Sequence, residues 1–159
     1  MYDLIIIGGG PGGVAAGVYG ARKKIKTLLI TEEWGGQSLV SADIQNWIGT
    51  KSVSGFDFAK MLEDHLRAQE DIEIIDGDVV STVEKFESGF RVKTRGGKTF
   101  ETNYLLITTG SRRRKLGVPG EKELDGRGVA YCSTCDAPIF KDKVVAVVGG
   151  GNAGLEAVI

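Results

Sequence analysis

The chain has 159 residues, of which 42% are hydrophobic, and its 20 basic and 21 acidic side chains leave a formal net charge of −1. That apolar content suffices for a globular core, while the balanced charge predicts neither nucleic acid nor a membrane surface as a partner. No apolar run is long enough to span a bilayer, and a strand that begins at Leu4 leaves no room for a signal peptide, so we expect a cytoplasmic protein.

The first part of the chain predicts a parallel βαβ unit. The continuous apolar run 4–7 predicts a buried strand, the run 13–23 predicts its crossover helix, and 27–31 predicts a second parallel strand. A polar loop with several glycines follows over residues 34–50. Apolar side chains at spacings of three and four then predict a helix at 56–69.

The remainder of the chain alternates short strands with turn signals. Strands are predicted at 72–75, 79–86, 90–94, 99–101 and 104–108. Gly96-Gly97 predicts a hairpin between the third and the fourth of them. After a connection rich in glycine, proline and charge, the apolar run 144–148 predicts another strand, and a helix is predicted to begin near Asn152.

Two glycine fingerprints of the form Gly-x-Gly-x-x-Gly each follow an apolar run. Their glycines are Gly8, Gly10 and Gly13 in the first, and Gly149, Gly151 and Gly154 in the second. In a dinucleotide-binding unit the first glycine makes a tight turn, the second lets the backbone approach a pyrophosphate, and the third lets the helix pack on the strand. The phosphates then face the N-terminus of the helix. The two fingerprints therefore predict two dinucleotide sites.

Cys132 and Cys135 are the only cysteines, and they are spaced as Cys-x-x-Cys between the two fingerprints. A zinc site needs about four ligands, and the single histidine, His65, lies far away in the sequence, so we expect no metal site. Inert buried cysteines are a further alternative. A redox disulfide needs only two thiols, and such motifs lower the thiol pKa enough to supply thiolate. Two nucleotide sites beside a dithiol predict electron transfer between a nicotinamide, a flavin and a disulfide, in either direction.

The order of these motifs carries a resemblance to a known family. LIIIGGGPGG, GGQ with DIQNW, CSTCD and VVAVVGGGNAG follow one another as they do in the low-molecular-weight thioredoxin reductases. The chain also resembles the flavoprotein disulfide reductase subunit of the alkyl hydroperoxide reductase system, which shares the same core. Thr108 and Ala137 stand where the family more often has alanine and glycine.

The resemblance implies an α/β fold, with a Rossmann-like βαβ FAD-binding unit of the three-layer ββα type followed by the start of a second dinucleotide-binding unit. Residues 1–111 would be the first part of the FAD domain, and 112–159 would begin the NAD(P)H domain that carries the Cys-x-x-Cys. Because family members are about twice as long, we interpret the chain as an N-terminal piece of a longer protein that forms a homodimer.

The same resemblance assigns cofactor-binding residues. For FAD these are Gly8, Gly10, Pro11, Gly13, Glu32, Gly36, Gln37, Asn46, Val80, Thr109 and Gly110; for NADPH they are Gly149, Gly151, Asn152 and Gly154. From the residues themselves, a carboxylate is required at the end of the second strand to bind a ribose. Glu32 is nearer to that strand than Glu33, although the two could be solvated turn residues.

The resemblance also assigns the redox chemistry. Cys135 would be nearest the flavin, Cys132 would attack the partner disulfide, and Asp136 would be the acid–base group, with a turn cap as its alternative role. The implied function is transfer of electrons from NADPH through FAD and the dithiol to a thioredoxin-like protein. Reduction of a peroxiredoxin system ranks second, because that relative has an extra N-terminal redox domain. A non-catalytic dinucleotide-binding fragment, a ferredoxin-linked relative and a small-dithiol oxidase stay open.

Overall fold

The computed structural model describes residues 1–112, 114–133 and 140–159 of the chain. These residues form two compact units, Met1–Ser111 and Arg112–Ile159. Two of the residues assigned to the redox chemistry, Cys135 and Asp136, lie outside the described residues.

The first unit contains six strands, two α-helices and a short 3-10 helix. The strands are β1 (Tyr2–Gly9), β2 (Thr27–Trp34), β3 (Ile72–Asp76), β4 (Val80–Phe86), β5 (Gly89–Thr94) and β6 (Thr99–Ile107). The helices are α1 (Pro11–Arg22), the 3-10 helix Gly36–Val40 and α2 (Gly55–Arg67), and the second unit contributes α3 (Asn152–Glu156). Within the described ranges, no helix combines the length and the apolar character needed to cross a membrane.

All six strands belong to one sheet with the order β3-β2-β1-β6-β5-β4. β3, β2, β1 and β6 are parallel, whereas β6-β5 and β5-β4 are antiparallel pairs. The β1-α1-β2 order is the βαβ unit that the sequence predicts, and the hairpin at Gly96-Gly97 joins β5 to β6. The predicted α/β, Rossmann-like fold is therefore confirmed.

The core consists of two clusters, one on each face of the parallel strands. On one face Ile6 and Leu29 pack against α1 and α2, with Phe58 of α2 nearly fully buried. On the other face, Ile5 and Leu28 pack with Val92 of β5. Apolar side chains therefore cover both faces of β1, which explains its continuous apolar sequence. Helices therefore cover one face of the parallel strands, and Val92 of the antiparallel strand β5 packs on the other.

One predicted break in the sheet does not occur. The sequence predicts separate strands at 99–101 and 104–108, with Thr102 and Asn103 between them. In the structure β6 continues through both residues, pairing with β5 up to Thr102 and with β1 from Thr102 onward. Thr102 is fully buried, and its hydroxyl donates to the Tyr104 carbonyl oxygen. The polar side chain therefore has a hydrogen-bond partner inside the strand.

The strand predicted at 144–148 is wrong for this structure. These residues have no regular secondary structure, and Val144 and Val148 are largely exposed. Apolar patterning indicates a strand, but a strand is formed only when a neighbour accepts and donates its backbone hydrogen bonds. No strand of the described residues pairs with this run.

Candidate functional site

The first glycine fingerprint forms a tight loop between β1 and α1. Gly8 has a φ of +114°, a conformation that L side chains rarely adopt. A Cβ on Gly13 would lie 1.9 Å from the Gly8 carbonyl oxygen, closer than any real Cβ contact. The helix therefore reaches the strand only because both positions are glycine, which is the packing that the sequence predicts for the first and third glycines of the fingerprint.

Gly10 and Pro11 form the open side of this loop. A Cβ on Gly10 would meet no protein atom within 4 Å, although its φ of −76° is ordinary. Gly10 is the N-cap of α1, Pro11 lies in the first helical turn, and that turn carries no acidic side chain. Backbone N–H groups at this end of the helix are available to an anion. The space, the donors and the lack of negative charge fit a dinucleotide pyrophosphate.

The loop after β2 lies beside Gly10. The backbone N–H of Gly35 donates to the Gly9 carbonyl oxygen at 3.0 Å, and a Cβ on Gly36 would lie 3.7 Å from the Gly10 Cα. Gln37 is in the 3-10 helix that begins at Gly36. The structure therefore brings Gly36 and Gln37 to the open side of the glycine loop, as expected if they bind the same ligand.

Glu32 lies at the end of β2, at a surface depression that it lines together with Asp78, Val79 and Arg95. Its carboxylate Oε1 is 3.6 Å from the Arg95 Nη1, and both side chains are exposed, so this ion pair contributes little stability. At the neighbouring Glu33, the backbone carbonyl oxygen accepts a hydrogen bond from the Thr31 hydroxyl at 2.6 Å.

Asp78, in the same depression, is held as a carboxylate. Hydrogen bonds from the Thr94 hydroxyl and the Gly96 backbone N–H lower its pKa. Val80, which follows at the start of β4, packs its side chain against the second core cluster. Any role of Val80 toward a cofactor would therefore rest on its backbone.

Asn46 lies in an ordered loop after the 3-10 helix. Ile44 and Val53 pair across this loop, and the Trp47 ring packs edge-on against Phe58 with centroids 4.8 Å apart. Asp43 accepts from the Ser52 and Gln45 side chains, which lowers its pKa. The loop conformation is therefore held by specific contacts, and Asn46 itself is exposed.

Thr109 and Gly110 follow directly after β6 at its carboxyl end. Gly110 has a φ of +63°, and a Cβ there would meet no protein atom within 4 Å. Because β1 and β6 are parallel neighbours, this turn and the Gly8 loop emerge from the same edge of the sheet. Ligands of open α/β sheets bind at that edge.

The second fingerprint repeats the backbone geometry of the first. Gly149 has a φ of +122°, Gly151 is the N-cap of α3, and α3 begins at Asn152. A Cβ on Gly154 would lie 2.2 Å from the Gly149 carbonyl oxygen, whereas one on Gly151 would meet nothing within 4 Å. The residues therefore fit a second dinucleotide pyrophosphate, and they do so although the preceding run forms no strand.

Cys132 is disulfide-bonded in the structure. It is the one cysteine among the described residues, because Cys135 lies outside them, as does Asp136. Within the described ranges, no group of three or more His, Cys, Asp or Glu side chains is arranged to hold a metal ion. Disulfide bonding of Cys132 is the state that a redox interpretation requires of the oxidised protein.

Thr108 is the site residue whose role sequence reasoning missed. Its hydroxyl donates to the Ile7 carbonyl oxygen at 2.8 Å and lies 3.3 Å from the Gly8 carbonyl oxygen. Its backbone N–H also donates to the Ile7 carbonyl at 2.9 Å. Thr108 therefore holds the start of the glycine loop against the end of β6. The sequence offered one indication of this role, because threonine stands at position 108 where the family more often has alanine.

Replacing Thr108 by valine is expected to lower the free energy of unfolding by about 1 kcal/mol, because the isosteric side chain loses the hydrogen bond to the loop. Urea unfolding of the two proteins measures the difference. Thr108→Ser, which keeps the hydroxyl, is the matched control and should retain more of the stability than Thr108→Val. Equal stability of the valine variant and the parent would contradict a bracing role.

Comparisons with known proteins show the family to which the chain belongs. The sequence pattern of the pyridine nucleotide-disulphide oxidoreductases matches residues 2–159. The chain therefore belongs to this family, which implies FAD and a nicotinamide nucleotide as cofactors.

Two curated relatives are similar along nearly the whole chain. A protein of Staphylococcus epidermidis that is named as a subunit of alkyl hydroperoxide reductase is 42% identical over 158 residues. A protein named NADH dehydrogenase from Bacillus subtilis is 40% identical over 158 residues. Each alignment covers 99% of this chain and 31% of the relative. The chain thus spans about a third of the length of these relatives.

Among solved structures, thioredoxin reductase from Streptococcus pyogenes matches with a TM-score of 0.81 and 37% identity. The match covers 99% of this chain and 51% of that chain. The similarity confirms the fold. The two kinds of comparison carry different names, alkyl hydroperoxide reductase and NADH dehydrogenase for the relatives and thioredoxin reductase for the structure. The family shown for this chain is that of the pyridine nucleotide-disulphide oxidoreductases.

Proposed function

We propose that this chain supplies the FAD site and part of the nicotinamide site of an NADPH-dependent disulfide reductase. The reaction converts NADPH, a proton and a protein disulfide into NADP⁺ and a protein dithiol. The observation that carries the proposal is the repeated glycine-loop geometry at Gly8–Gly13 and Gly149–Gly154, with a disulfide-bonded Cys132 between the two loops in the sequence. FAD, when bound, supplies a carrier that exchanges electron pairs with both a nicotinamide and a dithiol.

Different residues of the chain would bind different parts of the two cofactors. The backbone at Gly10, Pro11 and Gly13 would hold the FAD pyrophosphate, and the Glu32 carboxylate would accept from ribose hydroxyls. Asn46, Val80, Thr109 and Gly110 would complete this site beside Gly36 and Gln37. Gly149, Gly151, Asn152 and Gly154 would hold the pyrophosphate of the nicotinamide nucleotide.

The dithiol would pass electrons to the partner. Cys132 would attack the partner disulfide as a thiolate and form a mixed disulfide, and Cys135 would then displace the second partner thiol. Asp136 would hold or release a proton for the departing thiolate. We propose a thioredoxin-like protein as the partner, supported by the thioredoxin reductase structures that match this chain. A cytoplasmic homodimer is the assembly that we propose.

A second candidate is reduction of a peroxide-reducing partner instead of thioredoxin. The observation that favours it is the 42% identity to the alkyl hydroperoxide reductase relative, which exceeds the 37% identity to the thioredoxin reductase structure. The relative named NADH dehydrogenase similarly keeps NADH open as the electron donor.

The test uses a protein of the relatives' length that contains this sequence, purified and examined for flavin absorbance. NADPH and NADH are then compared as donors, with oxidised thioredoxin and a disulfide-form peroxiredoxin as acceptors. We expect bound FAD and NADPH oxidation that requires thioredoxin, whereas the 159-residue chain alone should not sustain turnover. A flavin-free protein, or one that oxidises neither nucleotide with either acceptor, would contradict the proposed function.

A further inference from the structure

Glu121 is a buried carboxylate in the second unit, with only 5% of the residue exposed. It accepts hydrogen bonds from three donors. Its Oε1 accepts from the Leu116 backbone N–H at 2.8 Å and from the Tyr131 hydroxyl at 2.6 Å, while its Oε2 accepts from the Gly117 backbone N–H at 2.6 Å. A buried carboxylate requires such partners to offset the loss of water.

These bonds tie two separate stretches of the chain together. Leu116 and Gly117 lie at the beginning of the second unit, whereas Tyr131 directly precedes Cys132. The chain between them folds back on itself, with a β-bridge between Asp125 and Val129. The Glu121 carboxylate therefore fixes the residue next to the disulfide-bonded cysteine to a segment well before it in the chain.

The protonation states of Glu121 and Tyr131 match this hydrogen bond. The hydrogen bond from Tyr131 is the main cause that lowers the pKa of Glu121, and the same bond raises the pKa of Tyr131 to about 12. Lys115 lies over the Tyr131 ring at 5.4 Å and pairs with Asp125 at 3.1 Å. Near neutral pH the carboxylate is therefore charged and the phenol is protonated, which is the pairing that the hydrogen bond requires.

We propose that Glu121 is a positioning residue for the dithiol. Through Tyr131 it holds the backbone entering Cys132 in the conformation in which the disulfide is closed. This inference deepens the proposed function and rests on its assignment of the dithiol as redox-active. Holding one cysteine in place raises the fraction of time that two thiols are close enough to form a disulfide, so the contact favours the oxidised state.

The experiment measures the glutathione redox equilibrium of the 159-residue chain. The chain is incubated at several ratios of reduced to oxidised glutathione, its thiols are alkylated, and mass spectrometry gives the reduced fraction. We expect Tyr131→Phe and Glu121→Gln each to shift the equilibrium toward the dithiol by about threefold or more, because each loses at least one hydrogen bond of the contact. The double variant should shift no further than the larger single effect.

Two controls separate positioning from general damage. Glu123→Gln makes the same change at an exposed glutamate two positions away and leaves the Glu121–Tyr131 bond, so it should stay within about 1.5-fold of the parent. Tyrosine absorbance, taken as the difference from Tyr131→Phe, should show Tyr131 titrating nearer to its ordinary pKa in Glu121→Gln. If Glu121→Gln does not fold, the milder Tyr131→Phe decides the question.

The outcomes distinguish this inference from the proposed function. A redox equilibrium in Tyr131→Phe equal to that of the parent, or shifted toward the disulfide, would overturn the positioning role and leave the proposed function standing. A parent disulfide that neither glutathione nor dithiothreitol reduces in the folded chain would contradict the redox function itself and the positioning role with it. No nucleotide, flavin or partner protein enters the measurement.

Discussion

Replacing Cys132 or Cys135 by serine, in a protein of the relatives' length, is expected to slow reduction of a protein disulfide on the order of 10³-fold or more. The reason is that each serine removes one of the two thiols that carry the electron pair from the flavin to the partner. Reduction of the flavin by NADPH should continue at nearly the parent rate, because the dithiol acts after that step. Stopped-flow absorbance measures flavin reduction, and steady-state assays with oxidised thioredoxin measure turnover.

The two serine variants also distinguish the roles of the two thiols. If Cys132 attacks the partner, Cys135→Ser should form a stable mixed disulfide with it, because the thiol that would resolve this species is missing. Cys132→Ser should form much less of it. Non-reducing gel electrophoresis followed by peptide mass spectrometry identifies the linked cysteine. Near-parent turnover in Cys135→Ser would show that this residue is not part of the relay.

Replacing Gly13 by alanine is expected to lower the free energy of unfolding by about 3 kcal/mol or more. The new Cβ would lie 1.9 Å from the Gly8 carbonyl oxygen and 2.8 Å from the Thr108 Oγ1. Because the first of these neighbours is a backbone atom of the tight turn, α1 must move away from β1. That movement disturbs the cluster in which Val14 and Val18 pack against Ile6. Urea unfolding followed by circular dichroism gives the measurement.

Gly10→Ala is the matched control for Gly13→Ala. Its Cβ would meet no protein atom within 4 Å and its backbone conformation is ordinary, so the folded chain should lose only about 1 kcal/mol, which is what alanine typically costs at an N-cap. FAD affinity should nevertheless fall by about tenfold or more, because the methyl group points into the space through which a pyrophosphate reaches the backbone. Titration of FAD fluorescence tests this. A Gly10 variant that binds FAD as tightly as the parent would place the pyrophosphate elsewhere.

The glycine loops show what a local sequence can determine. Gly8 and Gly149 have similar positive φ values, and the third glycine of each fingerprint approaches the carbonyl oxygen of the first. These features depend on residues that are close neighbours in the sequence and on the missing Cβ atoms. The second loop therefore forms without a paired strand before it. The hairpin at Gly96-Gly97 is predictable for the same reason.

The features that the sequence did not predict depend on partners that are distant along the chain. Thr108 braces the first glycine loop through Ile7, which lies 101 positions earlier. The apolar run 144–148 had a strand pattern, but the pattern does not supply the neighbouring strand that its backbone requires. In the sequence Glu121 is one charged residue of a polar connection. It is buried because the chain folds back and brings Tyr131 to its carboxylate.

The sequence by itself thus determined the backbone geometry of the two glycine loops, the order of the βαβ unit and the cysteine spacing, because backbone conformation and periodic burial act over a few residues. Only the tertiary structure decided that β6 runs unbroken through Thr102, that Gly36 lies beside Gly10, and that Glu121 holds Tyr131. Each of these requires hydrogen bonds or packing between segments whose approach is set by the whole fold, and no local pattern specifies such an approach.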